Sequence, residues 1–135
     1  MRDDSHLLYG DLTRKVIGAA FEVHGKLGTG FLEKVYENAL VYELTQLGLD
    51  VTQQYPISVY YEGVLVGEYI ADLCIERKVI VELKATEVVA KVHEVQLLNY
   101  LKATGMQVGL VLAFGSKVAH KRMTIAPVLS SRKDS

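Results

Sequence analysis

Glu82 and Lys84 interrupt an otherwise apolar run, VIVELKA, at residues 79 to 85. Strand side chains alternate between faces, so a strand here turns Ile80, Glu82 and Lys84 one way and Val79, Val81 and Leu83 the other. The preceding segment, YIADLCIE, brings in Asp72. If the connection between the two segments is tight and centred near Arg77, residues 72 and 82 become direct antiparallel neighbours, with Cβ atoms about 4.5 to 5.5 Å apart. Two carboxylates at that distance repel each other unless one is protonated or a cation lies between them. A hard ion such as Mg²⁺ takes carboxylate, carbonyl and water oxygens. Asp72, Glu82 and the backbone carbonyl of Leu83 are therefore a candidate ligand set. Lys84, on the same face, would sit beside a scissile phosphate or stabilise charge developing on phosphorus. The chemistry expected is metal-assisted phosphate-ester hydrolysis without a protein nucleophile. The plainer alternative is a set of ion pairs on a solvated sheet face, where such pairs contribute little. The apolar flanks count against it, because burying three charged groups is costly without a compensating ion or function.

Further candidates lie on helical segments. Glu33 and Glu37 are one turn apart, with Tyr36 on the same broad face, and either acid could reach an ion or its water. Both could equally be exposed helix glutamates, Glu33 being favoured by the macrodipole near a helix start. Later, Val89, His93, Gln96 and Tyr100 share one helical face, and Val88, Val92, Val95, Leu98 and Leu101 a more apolar one. Gln96 could donate to a phosphate or a water, and Tyr100 could pack beside it or offer its hydroxyl. A hydrogen-bonded histidine is commoner than a general base, so His93, like His24, is an accessory candidate. His6 and His120 carry no specific signal. The glycines of KLGTG lack the preceding strand and the lysine–hydroxyl pair of a phosphate loop.

These residues need elements to hold them. Apolar positions at three- and four-residue spacing predict a helix from 12 to 27, stopped by Gly28 and Gly30. A second helix is expected from 31 to 47, with Phe31, Val35, Leu40, Leu44 and Leu47 as its core side. β-Branched and aromatic residues then predict strands at 52 to 61, 64 to 75 and 79 to 84, the first at a sheet edge because Pro56 removes a ladder donor. A helix at 87 to 103, a buried strand at 107 to 115 and a short last strand within KRMTIAPV complete an α/β order of ααβββαββ. No repeat or linker divides it, so one domain over residues 1 to 135 is expected, with short polar tails.

Composition sets the outer limits. Half of the 135 residues are apolar and 23% are charged, which fits a compact α/β domain and excludes a disordered chain. The single cysteine, Cys74, excludes an intrachain disulfide framework and favours a reducing compartment. The start, MRDDSHLLYG, lacks the pattern of a secretion signal, and no apolar run reaches the roughly 18 residues of a membrane span. A cytoplasmic protein is the expectation. The net charge of −1 gives no overall basic footprint, although lysines and arginines recur in the second half.

Taken together, GFLEKVYENAL with Gly30, Glu33 and Tyr36, then ADLCIERKVIVELKA, HEVQLLNYLKATG and VGLVLAFG, resemble the GxxExxY family, a branch of the PD-(D/E)xK nuclease superfamily. The resemblance runs from about residue 8 to residue 126. It implies a restriction-endonuclease-like core, a mixed central sheet flanked by helices. Asp72 corresponds to the motif aspartate, Glu82 and Lys84 to the (D/E)xK portion, Gln96 to the glutamine of the following helix, and Glu33 to the signature glutamate, with Glu37 its rival. Alanine replaces the proline often found before the aspartate. Also implied are Mg²⁺ or Mn²⁺ as cofactor and a nucleic-acid substrate, with DNA favoured over RNA. A homodimer would supply a second active site. Two alternatives remain: a non-catalytic nucleic-acid or protein-binding module with the same fold, and a hydrolase of small phosphate compounds.

Overall fold

The computed structural model describes residues 7–127. His6, the polar tails, and the end of the expected last strand lie outside that span. Eight elements follow in the expected order: α1 (Gly10–Leu27), α2 (Glu33–Gln46), β1 (Val51–Tyr61), β2 (Val64–Ile75), β3 (Val79–Lys84), α3 (Lys91–Thr104), β4 (Val108–Phe114) and β5 (Val118–Thr124). The strands form one sheet in sequence order. β3 and β4 run parallel, joined by the α3 crossover, and every other neighbouring pair is antiparallel. β1 is an edge strand, which accommodates Pro56.

The two faces of the sheet carry different helices. Leu73, Ile75, Val79, Val81, Leu83 and alternate residues of β4 pack with Val16, Ala20, Val23, Tyr36, Leu40 and Leu44 of α1 and α2. Ile80 and Val111 pack with Leu97, Tyr100 and Leu101 of α3 on the opposite face. The alternation expected of VIVELK is therefore real: its odd-numbered residues meet α1 and α2, and its even-numbered ones face α3.

Several boundaries and faces differ from the sequence expectation. α3 starts at Lys91 rather than 87, where Ala90 N–H donates to His93 Nδ1 at 3.3 Å, so the histidine side chain satisfies a free amide at the helix start. The last strand begins at Val118, three residues earlier than expected, because Val118 pairs directly with Phe114 across a short turn. Phe21, Phe31, Val35 and Leu47 are exposed, as are Val88, Val92 and Val95. The core side of α2 is Tyr36, Leu40 and Leu44, and that of α3 is Leu97, Tyr100 and Leu101.

Close approach of α3 to the sheet depends on Gly109. A Cβ there would lie 2.7 Å from Leu97 Cδ1 and 3.1 Å from the Ile80 carbonyl oxygen. Leu97 is fully buried, so its methyl groups cannot move aside into solvent. Gly109→Ala is expected to destabilise the protein by about 1–3 kcal/mol through overpacking, measured as a lower urea midpoint with an unchanged m-value.

Candidate active site

The connection between β2 and β3 sets the register of the site. Glu76 and Arg77 both adopt left-handed conformations, with φ of 55° and 54°, and Lys78 N–H closes onto the Ile75 carbonyl at 2.9 Å. Ile75 then pairs with Val79, Cys74 with Ile80 and Leu73 with Val81. The next step along this register places Asp72 opposite Glu82.

At that step the regular ladder stops and the side chains take over its hydrogen bonds. Asp72 N–H donates to Glu82 Oε2 at 2.6 Å, and Leu83 N–H donates to Asp72 Oδ2 at 2.8 Å. Each carboxylate thus satisfies an amide of the other strand, or of its neighbour. Beyond this point β2 continues with β1 as a hairpin, while β3 continues with β4 to Lys84. The β1–β2 ribbon also bends here. Gln54, between the paired residues Gln53 and Tyr55, has φ of 57°. Leu73 packs with α1 and α2, whereas Ala71, two residues away, packs with α3.

Both acids are held toward protonation. Burial is the main reason that Asp72 is raised; the Leu83 amide opposes it, and the charges of Glu37 and Glu33 add to the rise. Glu82, only 4% exposed, is pushed up to about 8, first by burial and then by Asp72. The Asp72 amide and Lys84 pull it back, and Glu33 adds repulsion. Lys84 is half-buried at the end of β3 and has no ion-pair partner within 4.0 Å among the described residues.

The two glutamates of α2 occupy different settings. Glu33 is the first residue of the helix and its charge reaches both Asp72 and Glu82. Glu37 is 2% exposed, and its Oε2 accepts from Lys34 Nζ at 3.1 Å, Gln53 Nε2 at 2.7 Å and Gln54 Nε2 at 2.9 Å. The two glutamines were not singled out in the sequence. Their role depends on the ribbon bend that brings β1 beside α2, and a QQ pair alone carries no sign of that.

The remaining candidates spread around this centre. Tyr36 is fully buried and stacked on Phe114 at 4.6 Å, its hydroxyl donating to the Gly28 carbonyl at 2.6 Å and accepting from Phe31 N–H at 3.3 Å. It fastens the α1–α2 connection to the core. His24 Nε2 lies 2.9 Å from the Gly115 carbonyl. Tyr100 is pushed up to about 12 by burial, with further contributions from the charges of Glu82 and Asp72. One turn earlier on α3, Gln96 lines a groove of about 850 Å³ between α3 and the β1–β2 hairpin, with Tyr100 in the same wall.

Among the described residues, no group of three or more His, Cys, Asp or Glu side chains is arranged to hold a metal ion. The donor chemistry of the central pair nonetheless fits a divalent cation. Two carboxylates are raised partly by each other's charge or by neighbouring acids, and their hydrogen bonds within the protein use Asp72 Oδ2 and Glu82 Oε2 only. Mg²⁺ commonly takes one or two carboxylates and completes its shell with water.

Comparison with known proteins agrees with this geometry. The crystal structure of the protein SSO0001 superposes with a TM-score of 0.55 at 15% identity, covering 92% of this chain and 62% of that one, which shows a shared fold. The chain therefore spans less than two thirds of that protein's length. No curated protein matches the sequence significantly. No helix among the described residues is long and apolar enough to cross a membrane. Residues 10–124, nearly the whole chain, match the family described as the PD-(D/E)XK nuclease superfamily, and the chain belongs to that superfamily.

Proposed function

We propose that the protein is a metal-dependent phosphodiester hydrolase acting on nucleic acid, with DNA the favoured substrate, and that it falls in the GxxExxY branch of its superfamily. The observation that carries this reading is the strand split at Asp72 and Glu82. There, two carboxylates on adjacent strands each hold a backbone amide and are both raised, with Lys84 two residues further along.

Asp72, Glu82 and the Leu83 carbonyl would hold Mg²⁺ or Mn²⁺, with Glu33 as the helix acid that joins them. Bound there, the ion supplies Lewis acidity at a phosphoryl oxygen and lowers the pKa of water. The chain's own contribution is positional. Cross-strand amide bonds fix both carboxylates, and burial keeps bulk water from screening them. The Lys84 ammonium meets a phosphate oxygen as a compact point charge. Gln96 donates to the phosphate or to water, and Glu33 accepts a proton or a hydrogen bond from that water. Glu37 positions the hairpin through Gln53 and Gln54.

Purified protein incubated with single-stranded, duplex and branched DNA and with RNA is expected to cut in Mg²⁺ or Mn²⁺ and to stop when the ion is chelated. Cleavage that survives chelation would overturn the metal assignment. A second reading, a non-catalytic binding module, draws on the lack of a three-residue metal cluster among the described residues. Divalent-independent binding without cleavage on any of these substrates would favour it.

A further inference from the structure

We infer that the groove between α3 and the β1–β2 hairpin is a stacking site for unpaired nucleic-acid bases, with Tyr69 and Tyr60 as its platforms. Placing nucleic acid there rests on the proposed function; the stacking geometry comes from the groove itself. Tyr69 and Tyr60 line the groove and are 52% and 61% exposed. Tyr69 rests on Tyr100 with ring centroids 5.7 Å apart and planes inclined at 47°. One aromatic surface is thus backed by a second ring that is nearly fully buried.

A backbone irregularity lies in this wall, where Val59 pairs with Gly67 and Tyr60 with Leu65, leaving Val66 of β2 as the extra residue. In a regular strand, neighbouring residues face opposite ways. Ser58, Val59 and Tyr60 all line the groove, and the β1–β2 register shifts between Val59 and Tyr60. A bulge of this kind re-aims a side chain and is over-represented beside active sites.

The rest of the groove selects the occupant. Gln96 and Asn99 offer amides with both donor and acceptor capacity, which suit base edges. Lys102 supplies a cation for a phosphate. No run of basic residues accompanies it, and the whole chain carries −1. Duplex binding depends chiefly on neutralising many phosphates, whereas single strands also bind through base–aromatic stacking. The groove lies near the acids, since the charges of Glu82 and Asp72 act on Tyr100 in its wall. Tyr100 shares one buried cluster with Ala71, the residue before Asp72, and with Ile80, two residues before Glu82.

The test uses the full chain in chelator, so that binding is read without cleavage. Probes are a short oligothymidylate, the matching oligouridylate, the DNA duplex, and an oligothymidylate series with one abasic position. The chain has eight tyrosines and no tryptophan, so the part of the tyrosine quenching that is lost in Tyr69→Ala and Tyr60→Ala reports stacking on those rings, and anisotropy of a labelled probe gives Kd. Tyr69→Ala and Tyr60→Ala should each weaken single-strand binding about tenfold or more, while Tyr69→Phe should bind as wild type. Duplex affinity should change little. An abasic position should weaken wild-type binding at one or two sites, and that penalty should shrink in the alanine variants. The two homopolymers distinguish a DNA from an RNA occupant.

Unchanged single-strand affinity in both alanine variants, with melting temperatures kept, would overturn the inference. So would an equal loss on duplex, or a dimer that Tyr60→Ala dissociates while oligonucleotide affinity stays constant. Cleavage by the wild type with no tyrosine effect on binding would remove this inference alone. Abasic-sensitive binding without cleavage would remove only the hydrolase reading.

Discussion

Lys84→Ala is expected to lower the rate of metal-supported cleavage by about two to three orders of magnitude, the usual cost of removing one charge-stabilising group from a preorganised site. The effect should fall on kcat with only a small change in substrate affinity, because the ammonium matters most as charge builds on the phosphate. Lys84 ends β3 opposite Ala113 and has no ion-pair partner within 4.0 Å among the described residues, so no structural contact of that kind is lost. Its charge acts on both Asp72 and Glu82, and the variant is expected to keep the fold, which the unfolding curves check. Lys84→Arg should recover only part of the rate, since a planar fork does not reproduce a compact ammonium. Asp72→Ala should also abolish cleavage but is a less selective test. It leaves the buried Leu83 amide without its acceptor, which costs about 1–3 kcal/mol of stability. Single-turnover rates, with unfolding curves for each variant, separate the two effects. A Lys84→Ala protein that cuts at the wild-type rate would remove this lysine from the chemistry.

Much of this centre could be read from the chain because it depends on short-range geometry. A connection centred on Arg77 fixes residue 72 against 82 by counting, and alternation within VIVELK assigns the faces. What the sequence concealed depends on longer-range packing. Val88, Val92 and Val95 suggest a core stripe by period, yet they lie on the exposed flank, because α3 begins only at Lys91 and docks through Leu97 and Leu101. Tyr36 lies in the signature segment yet is fully buried, its hydroxyl taken up by the α1–α2 connection, a contact visible only once α1 has packed beside it. The clamp of Gln53 and Gln54 on Glu37 needs the ribbon bend at Gln54, whose positive φ no propensity scale would assign to a glutamine inside a strand. The edge position expected from Pro56 is where β1 lies, but the register shift opposite Val66 near the hairpin end had no sign in the sequence.

In metal-free buffer, the protein should lose stability as pH rises from about 5 to about 8, and Glu82→Gln should remove most of that slope. The folded protein holds the Glu82 carboxyl at about 8, against 4.5 for the ordinary group. Between those values the native state keeps a proton that the unfolded chain has released, so unfolding becomes easier by up to about 1.4 kcal/mol per pH unit. The stabilisation is fully present below the ordinary carboxylate range and is lost as pH passes through the folded value. Asp72, raised in the same direction, adds to the slope. Glutamine keeps a carbonyl oxygen to accept the Asp72 N–H but has no proton to lose. The loss across the window should reach a few kcal/mol, read from urea unfolding at a series of pH values. Mg²⁺ or Mn²⁺ should reverse the trend, because an ion that prefers the ionised pair binds more tightly as pH rises and stabilises the fold in proportion. The same pH slope in wild type and Glu82→Gln, unaltered by either ion, would mean that the two carboxylates are not the strained, cation-seeking pair on which the hydrolytic reading depends.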